Sequence, residues 1–382
     1  MALKVSRRGT IPPFIVMDVM SAAAERERQG GDVLHLEVGQ PSTSAPSKVV
    51  AAAKAALDGD RIGYTVALGI PPLRERIAEH YRQTYGVDLS PGRIVVTTGS
   101  SGGFLLSFLA AFEIGDRVAL ASPGYPAYRN ILTALGIEPV ELPTEPEHRF
   151  QPTPALLDAL DRPVDGLIVA SPSNPTGTML PADEFAALAA YCDGSSIRLI
   201  SDEIYHGIAY GMKAATAAAV SDHAVVINSF SKYYSMTGWR LGWMVVPEDL
   251  SRAIECLAQH LFISPPTLSQ HAAVAAFDCA DELDANVARY AANRALLLEA
   301  LPKAGFDRLA PADGAFYLYA DIRHLTNDSE AFCRRMLAET GVAATPGVDF
   351  DPSRGHATIR FSFAGATADM AAAAERLRAW LA

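Results

Sequence analysis

Apolar and polar positions alternate along the chain with two periods. Helical spacing runs through residues 47–57 and again through Leu73, Ile77, Tyr81 and Tyr85, with Gly86 as a stop. From residue 94 onward, short apolar runs at 94–97, 118–121, 167–170, 198–201 and 225–228 are separated by helical patterns. That alternation predicts an α/β fold, a large domain with a mostly parallel, doubly wound sheet flanked by helices. Ligands in such sheets bind beyond the carboxyl ends of the strands. Past residue 249 the pattern turns helical, with a long amphipathic segment at 284–301 through Val287, Tyr290, Leu297 and Leu301. Apolar runs at 315–320 and 357–363, a helix through Phe332, Met336 and Leu337, and a last helix at 367–381 predict a smaller α+β domain. Ahead of all this, Pro12-Pro13 precedes a helix-like stretch through Met17, Met20 and Ala24, and a short strand pattern at 34–38 is closed by Gly39. The expected division is 1–45 as an N-terminal arm and part of the small domain, 46–284 as the large domain, and 285–382 as the small one.

One apolar stretch carries an unusual charge. Between Asp222 and Glu248 the only formal charges are Lys232 and Arg240, in a run rich in Val, Ile, Phe, Tyr, Trp and Met. A lysine buried there without a partner loses its hydration, so its pKa falls towards the neutral amine that attacks a carbonyl carbon. The competing reading is an ammonium that reaches water from a loop. The other five lysines (Lys4, Lys48, Lys54, Lys213, Lys303) lie in an arm, on helix faces or beside turns. Arg240 adds a permanent cation, and Ser229 and Ser231 add hydroxyls. Amine, guanidinium and hydroxyls together suit a phosphorylated aldehyde.

Ser229-Phe-Ser-Lys232, followed by Gly238-Trp-Arg240-Leu-Gly242, resembles the lysine signature of the class I/II aminotransferases, fold type I enzymes of pyridoxal 5'-phosphate. The resemblance extends over nearly the whole chain, one strand end at a time. It implies that Lys232 carries the cofactor as a Schiff base and that Ser229 and Arg240 hold its phosphate. After 94–97 comes Thr98-Gly-Ser-Ser-Gly-Gly103 at the start of a helix, an anion cradle in which Ser100, Ser101 and Gly102 are the expected phosphate ligands. Tyr125, after 118–121, would stack on the pyridine, where some relatives use tryptophan; Asn174 and Tyr205 would donate to the phenolic oxygen. Asp202, at a buried strand end, needs a cation, and a protonated pyridine nitrogen supplies one, keeping the electron sink charged. Glu203 is assigned a structural part. Gly39, Asn174 and Arg360 would meet the substrate carboxylate, Arg360 through a planar guanidinium suited to bidentate capture. Tyr64, in Arg61-Ile-Gly-Tyr64, would reach the phosphate of a neighbouring subunit, which implies a homodimer with a shared active site.

Composition narrows the alternatives. The chain has 382 residues, 49% hydrophobic and 20% charged, long enough for one large and one smaller domain. A net charge of −11 without a basic cluster argues against nucleic acid. The four cysteines show no metal-ligand spacing and fit reduced thiols in a cytoplasm, and no metal is expected. The longest uncharged runs are broken by Gly-Ser-Ser-Gly-Gly and by Pro265-Pro266, so no membrane span is expected, and Ser6-Arg7-Arg8 reads as part of a surface arm. The expected activity is transfer of an amino group between an L-amino acid and a 2-oxo acid. A β-lyase, or a cyclising or racemising enzyme, would use the same parts. A cofactor sensor would need a DNA-binding segment, for which residues 1–30 are too short. No second arginine is evident for a dicarboxylate's distal group, which favours neutral or hydrophobic substrates.

Overall fold

The computed structural model describes residues 3–59 and 62–382. Its helices are α1 (Ile15–Arg28), α2 (Ser47–Asp58), α3 (Pro71–Tyr85), α4 (Gly99–Ala111), α5 (Pro126–Leu135), α6 (Pro154–Asp158), α7 (Ala182–Gly194), α8 (Glu248–Leu261), α9 (Thr267–Val274), α10 (Ala280–Lys303), α11 (Ser329–Thr340) and α12 (Thr367–Leu381). The strands are β1 (Leu34–His35), β2 (Ile94–Thr97), β3 (Arg117–Ser122), β4 (Glu138–Pro143), β5 (Gly166–Ala170), β6 (Arg198–Asp202), β7 (Val225–Ser229), β8 (Gly242–Val245), β9 (Arg308–Leu309), β10 (Tyr317–Asp321), β11 (Val342–Ala343), β12 (Thr345–Pro346) and β13 (Thr358–Ser362).

Seven strands form the main sheet in the order β2-β8-β7-β6-β5-β3-β4. Strands β7, β6, β5, β3 and β4 run parallel, whereas β8 runs antiparallel to both β2 and β7. The five apolar runs are all strands, buried on both faces, which is why they read as continuous rather than alternating. Two strands of this sheet were not anticipated. In β4 the apolar pattern is broken by Glu138, Pro139, Glu141 and Pro143, and the strand is the sheet's edge, where a proline is tolerated. Strand β8 follows the lysine motif so closely that its apolar residues read as part of that motif. One core lies on each face of the sheet. The first includes Leu73, Ile77, Phe185, Phe230 and Trp243, and the second Phe104, Phe108, Leu132 and Ile254.

The second sheet has four strands, β12-β13-β10-β9, and shares a core with α10, α11 and α12 through Phe306, Phe316, Met336, Phe361 and Leu377. Strand β1 pairs in parallel with β11, so the segment before residue 40 joins this module. Near residue 285 there is no break. Helix α10 runs through it, with Leu283 in the main-sheet core and Tyr290, Leu297 and Leu301 in the smaller one. Among the described residues no helix is long and apolar enough to cross a membrane, and no cluster of His, Cys, Asp or Glu is arranged to hold a metal ion.

Candidate active site

A cavity of about 350 Å³ opens where the ends of β2, β5, β6 and β7 meet the smaller module. Gly39, Ser100, Ser101, Tyr125, Asn174, Asp202, Tyr205, Lys232, Arg240 and Arg360 all line it. Three further expected residues do not. Gly102 is buried in the first turn of α4, and Ser229 Oγ is taken up by Ser231, accepting from the Ser231 amide at 3.1 Å; Ser231 itself faces the cavity. Tyr64 is 83% exposed and away from this chain's own cavity. Arg61, from the same motif, lies outside the described residues.

At one end the cavity is an anion cradle. Helix α4 starts with no side-chain cap, so its first amides are available, and the helix dipole adds positive character. Gly99 has a φ of +67°, and a Cβ there would lie 2.6 Å from the Arg240 guanidinium. Only glycine lets the backbone and that arginine approach a common ligand. Arg240 Nη1 donates to the Thr237 carbonyl at 3.0 Å, and Thr237 also lines the cavity.

Asp202 lies at the floor, 3% exposed. Burial raises its pKa to about 6, against the opposing pull of a hydrogen bond donated by Tyr128 Oη and one from the Ile204 amide at 3.1 Å. Tyr128 was missed by sequence reasoning. It sits three residues past Tyr125 on α5, looks like an ordinary apolar helix position, and meets an aspartate 74 residues away. The neighbouring Glu203 points away from the cavity into a separate network, with Ser201 Oγ donating at 3.1 Å and the Ala217 amide at 2.8 Å.

Lys232 Nζ donates to the Gly39 carbonyl at 2.6 Å and lies 5.6 Å from the centre of the Tyr205 ring. Burial, then the nearby positive charge of Arg360, lower its pKa to about 8, partly offset by Asp202. Arg360 is 2% exposed between the faces of Tyr317 and Phe350, 4.4 and 4.8 Å from the ring centres. Its Nη1 donates to Asn174 Oδ1 at 2.8 Å, and its Nη2 to Thr345 Oγ1 at 3.1 Å and to the Glu37 carbonyl. Its Nε has no partner. A buried, unpaired guanidinium N–H is costly, and a ligand carboxylate would satisfy it. Tyr205 and Tyr317 share a hydroxyl hydrogen bond at 2.7 Å, and the Tyr317 hydroxyl packs where a Gly39 side chain would otherwise be.

This arrangement joins an anion cradle, an amine of lowered pKa, a buried carboxylate and a buried arginine with an unpaired Nε around one space. The family model described as "Aminotransferase class I and II" matches residues 31–377. The chain belongs to that family. Its members act on amino and oxo acids and depend on pyridoxal phosphate. A valine–pyruvate aminotransferase of Mycobacterium tuberculosis is 56% identical over 99% of this chain and 98% of its own length. The crystal structure of an aminotransferase from Mycobacterium tuberculosis superposes with a TM-score of 0.98 at 56% identity, covering 100% of this chain and 99% of that one. Aspartate aminotransferase from Thermus thermophilus with maleate gives 0.92 at 32% identity, covering 99% and 100%. This chain is thus an aminotransferase of fold type I, and nothing in these comparisons favours the lyase alternative. The residues present fit the cofactor of the family. The cradle at α4 and Arg240 suits a phosphate, Lys232 an aldehyde, and buried Asp202 a protonated ring nitrogen.

Proposed function

We propose that this aminotransferase holds pyridoxal 5'-phosphate through Lys232 and moves an amino group between an L-amino acid and a 2-oxo acid in the cavity between its two sheets. The observation that carries the reading is that Lys232, Asp202 and Arg360, far apart in sequence, line one cavity. Ser100, Ser101, Ser231, Arg240 and the α4 amides would hold the phosphate, with Ser229 and Gly102 shaping the cradle from behind. Tyr125 would lie against the ring, and Asn174 and Tyr205 would serve its phenolic oxygen. When bound, the cofactor supplies an electron sink for the bond broken at the substrate Cα. Asp202 keeps that sink positively charged, and the Tyr128 hydroxyl holds the carboxylate in its ionised form. Arg360 orients the substrate by its carboxylate, which fixes the Cα hydrogen against Lys232 Nζ. Lys232, near neutrality at pH 8, takes and returns that proton. The Gly39 carbonyl holds the amine in place.

We also propose a homodimer and three segments, 1–45 as arm and part of the small domain, 46–284 as cofactor domain and 285–382 as small domain. Exposed apolar residues support the dimer. Ile62, Tyr64 and Val66 are 41%, 83% and 59% exposed, and Thr267 Oγ1 donates to the Gly63 carbonyl at 2.7 Å, which ties that loop to the start of α9. Tyr64 would then reach the second copy's phosphate. Four free cysteines support a reducing, cytoplasmic setting.

The test is transamination with a panel of amino acids and pyruvate, beside Lys232→Ala. Valine and pyruvate are the first pair to try, because they name the 56% identical relative. Formation of alanine together with the matching 2-oxo acid is the expected result. Pyruvate and ammonia released from a β-substituted amino acid, without transfer, would overturn the reading.

A further inference from the structure

Polar groups occupy only part of the cavity wall. Phe14, Val16, Met17, Met20 and Val38 line the cavity as well. Met17 and Met20 lie three residues apart and Val16 and Met20 four apart, so the first two turns of α1 present one face to the cavity. The other face packs elsewhere, with Val19 and Ala23 against Leu337 and Ala343. The Phe14 ring meets Tyr125 edge-on at 5.8 Å, so the apolar wall continues up to the residue beside the proposed cofactor ring. The lining cations are Lys232, Arg240 and Arg360, all in the polar part.

The anchoring of this wall is unusual. Phe14, the N-cap of α1, offers no side-chain cap. Asp349, 334 and 333 residues away, does so instead: its Oδ1 accepts from the Ile15 amide at 3.2 Å and its Oδ2 from the Val16 amide at 3.3 Å. The next residue, Phe350, packs on the Arg360 guanidinium. One short segment thus holds both the carboxylate-binding arginine and the start of the apolar wall, and fixes the distance between them.

We infer that the first two turns of α1, with Val38, form the side-chain pocket of the amino acid, that this pocket selects aliphatic over acidic side chains, and that Asp349 is the residue positioning it. The inference rests on the reading of the site as that of an aminotransferase using Arg360 for the substrate carboxylate. Met17 and Met20 suit branched aliphatic groups because a methionine side chain adapts its shape to them. A distal carboxylate would lose its hydration there without gaining a partner.

The experiment uses the cofactor-loaded enzyme and three variants, Met20→Arg, Met17→Arg and Asp349→Asn. Met17 is 53% exposed, so its replacement is compatible with folding even where that of Met20 is not. The ratio of kcat/KM for valine to that for glutamate is expected to fall at least about tenfold in either arginine variant. Asp349→Asn is expected to lower the ratio for valine over alanine about threefold, a change in selectivity that general destabilisation would not produce. Calorimetric titration with 3-methylbutanoate and with butanedioate gives a readout independent of turnover. The former should bind the wild type more tightly, and the order should narrow or reverse in the arginine variants. Preference of the wild type for butanedioate, or ratios within twofold of wild type in both arginine variants, would overturn the inference. Selective binding of 3-methylbutanoate by an enzyme that transfers no amino group would leave the pocket standing and remove the proposed reaction instead.

Discussion

The half of the cavity proposed for the cofactor and the half proposed for the substrate are assembled in different ways. The first draws on consecutive strand ends of one sheet. Ser100 follows β2, Asn174 follows β5, Asp202 ends β6, and Lys232 follows β7, so each group is delivered by the few residues after an apolar run. The second draws on α1 and the segment 38–40 from one end of the chain and on β10 and β13 from the other, more than 270 residues away. Its contacts span that gap: Arg360 to the Glu37 carbonyl, and Asp349 to the amides of α1. A half built from strand ends is as rigid as its sheet. A half built across two modules depends on how those modules pack, so chemistry belongs to the first and selectivity to the second.

The largest effect should come from the first half. Lys232→Ala is expected to lower kcat by about 10⁴-fold or more, since the amine is proposed as both the covalent anchor and the base. Loss of added cofactor's absorbance on gel filtration, for the variant only, checks the anchoring role. The lowered pKa gives this a pH signature. The neutral amine becomes dominant above about 8 rather than at the ordinary 10.5, so the rate of cofactor capture should rise with pH up to about 8 and then level. A rate still climbing steeply through pH 9.5 would contradict the lowered value.

Next in size, Asp202→Asn is expected to reduce kcat by about 10²- to 10³-fold, because an amide cannot offset a charged ring nitrogen. In the cofactor-free wild type, the rate of cofactor capture should fall on the acid side as pH drops through about 6, where this carboxylate takes up a proton. The substrate half responds differently. Arg360→Lys keeps the charge but loses the planar fork, and kcat/KM for amino acids is expected to fall about 100-fold with the cofactor's absorbance retained. An equal loss of cofactor in this variant would erase the distinction between the two halves.

The smallest effect sharpens the comparison. Tyr128→Phe removes a hydrogen bond that favours the ionised form of Asp202, so the carboxylate's pKa should rise. The acid limb of the pH profile for cofactor capture is then expected to move up, with a loss in kcat of only about fivefold at pH 8. An unmoved limb would show that Tyr128 serves packing alone.

Some of this was readable before any coordinates. Strands β2, β3, β5, β6 and β7 announced themselves because burial on both faces leaves a continuous apolar run, and the polar residues after these runs marked the cavity's edge. Lys232 and Arg240 stood out as lone charges in such surroundings. Other features had no local signal. Strand β4 was masked by its prolines and glutamates, and β8 by the motif in front of it. Met17 and Met20 were legible as a helix face in an N-terminal arm, but not as part of the cavity's lining. Ser229 and Ser231 were indistinguishable as hydroxyls two residues apart, and only the folded turn directs Ser231 into the cavity and leaves Ser229 holding it from behind.

The sequence by itself determined the parallel sheet, its strand ends and the reactive lysine, because periodicity, turn residues and misplaced charges are properties of short stretches of chain. Tertiary structure alone decided which groups face each other across the cavity. Tyr128 reaches Asp202, Asp349 caps α1, and Glu203 turns away from the space that Asp202 faces. The physical reason is that a hydrogen bond between residues tens or hundreds of positions apart leaves no periodicity in the chain. It exists only once two independently formed surfaces have been packed together.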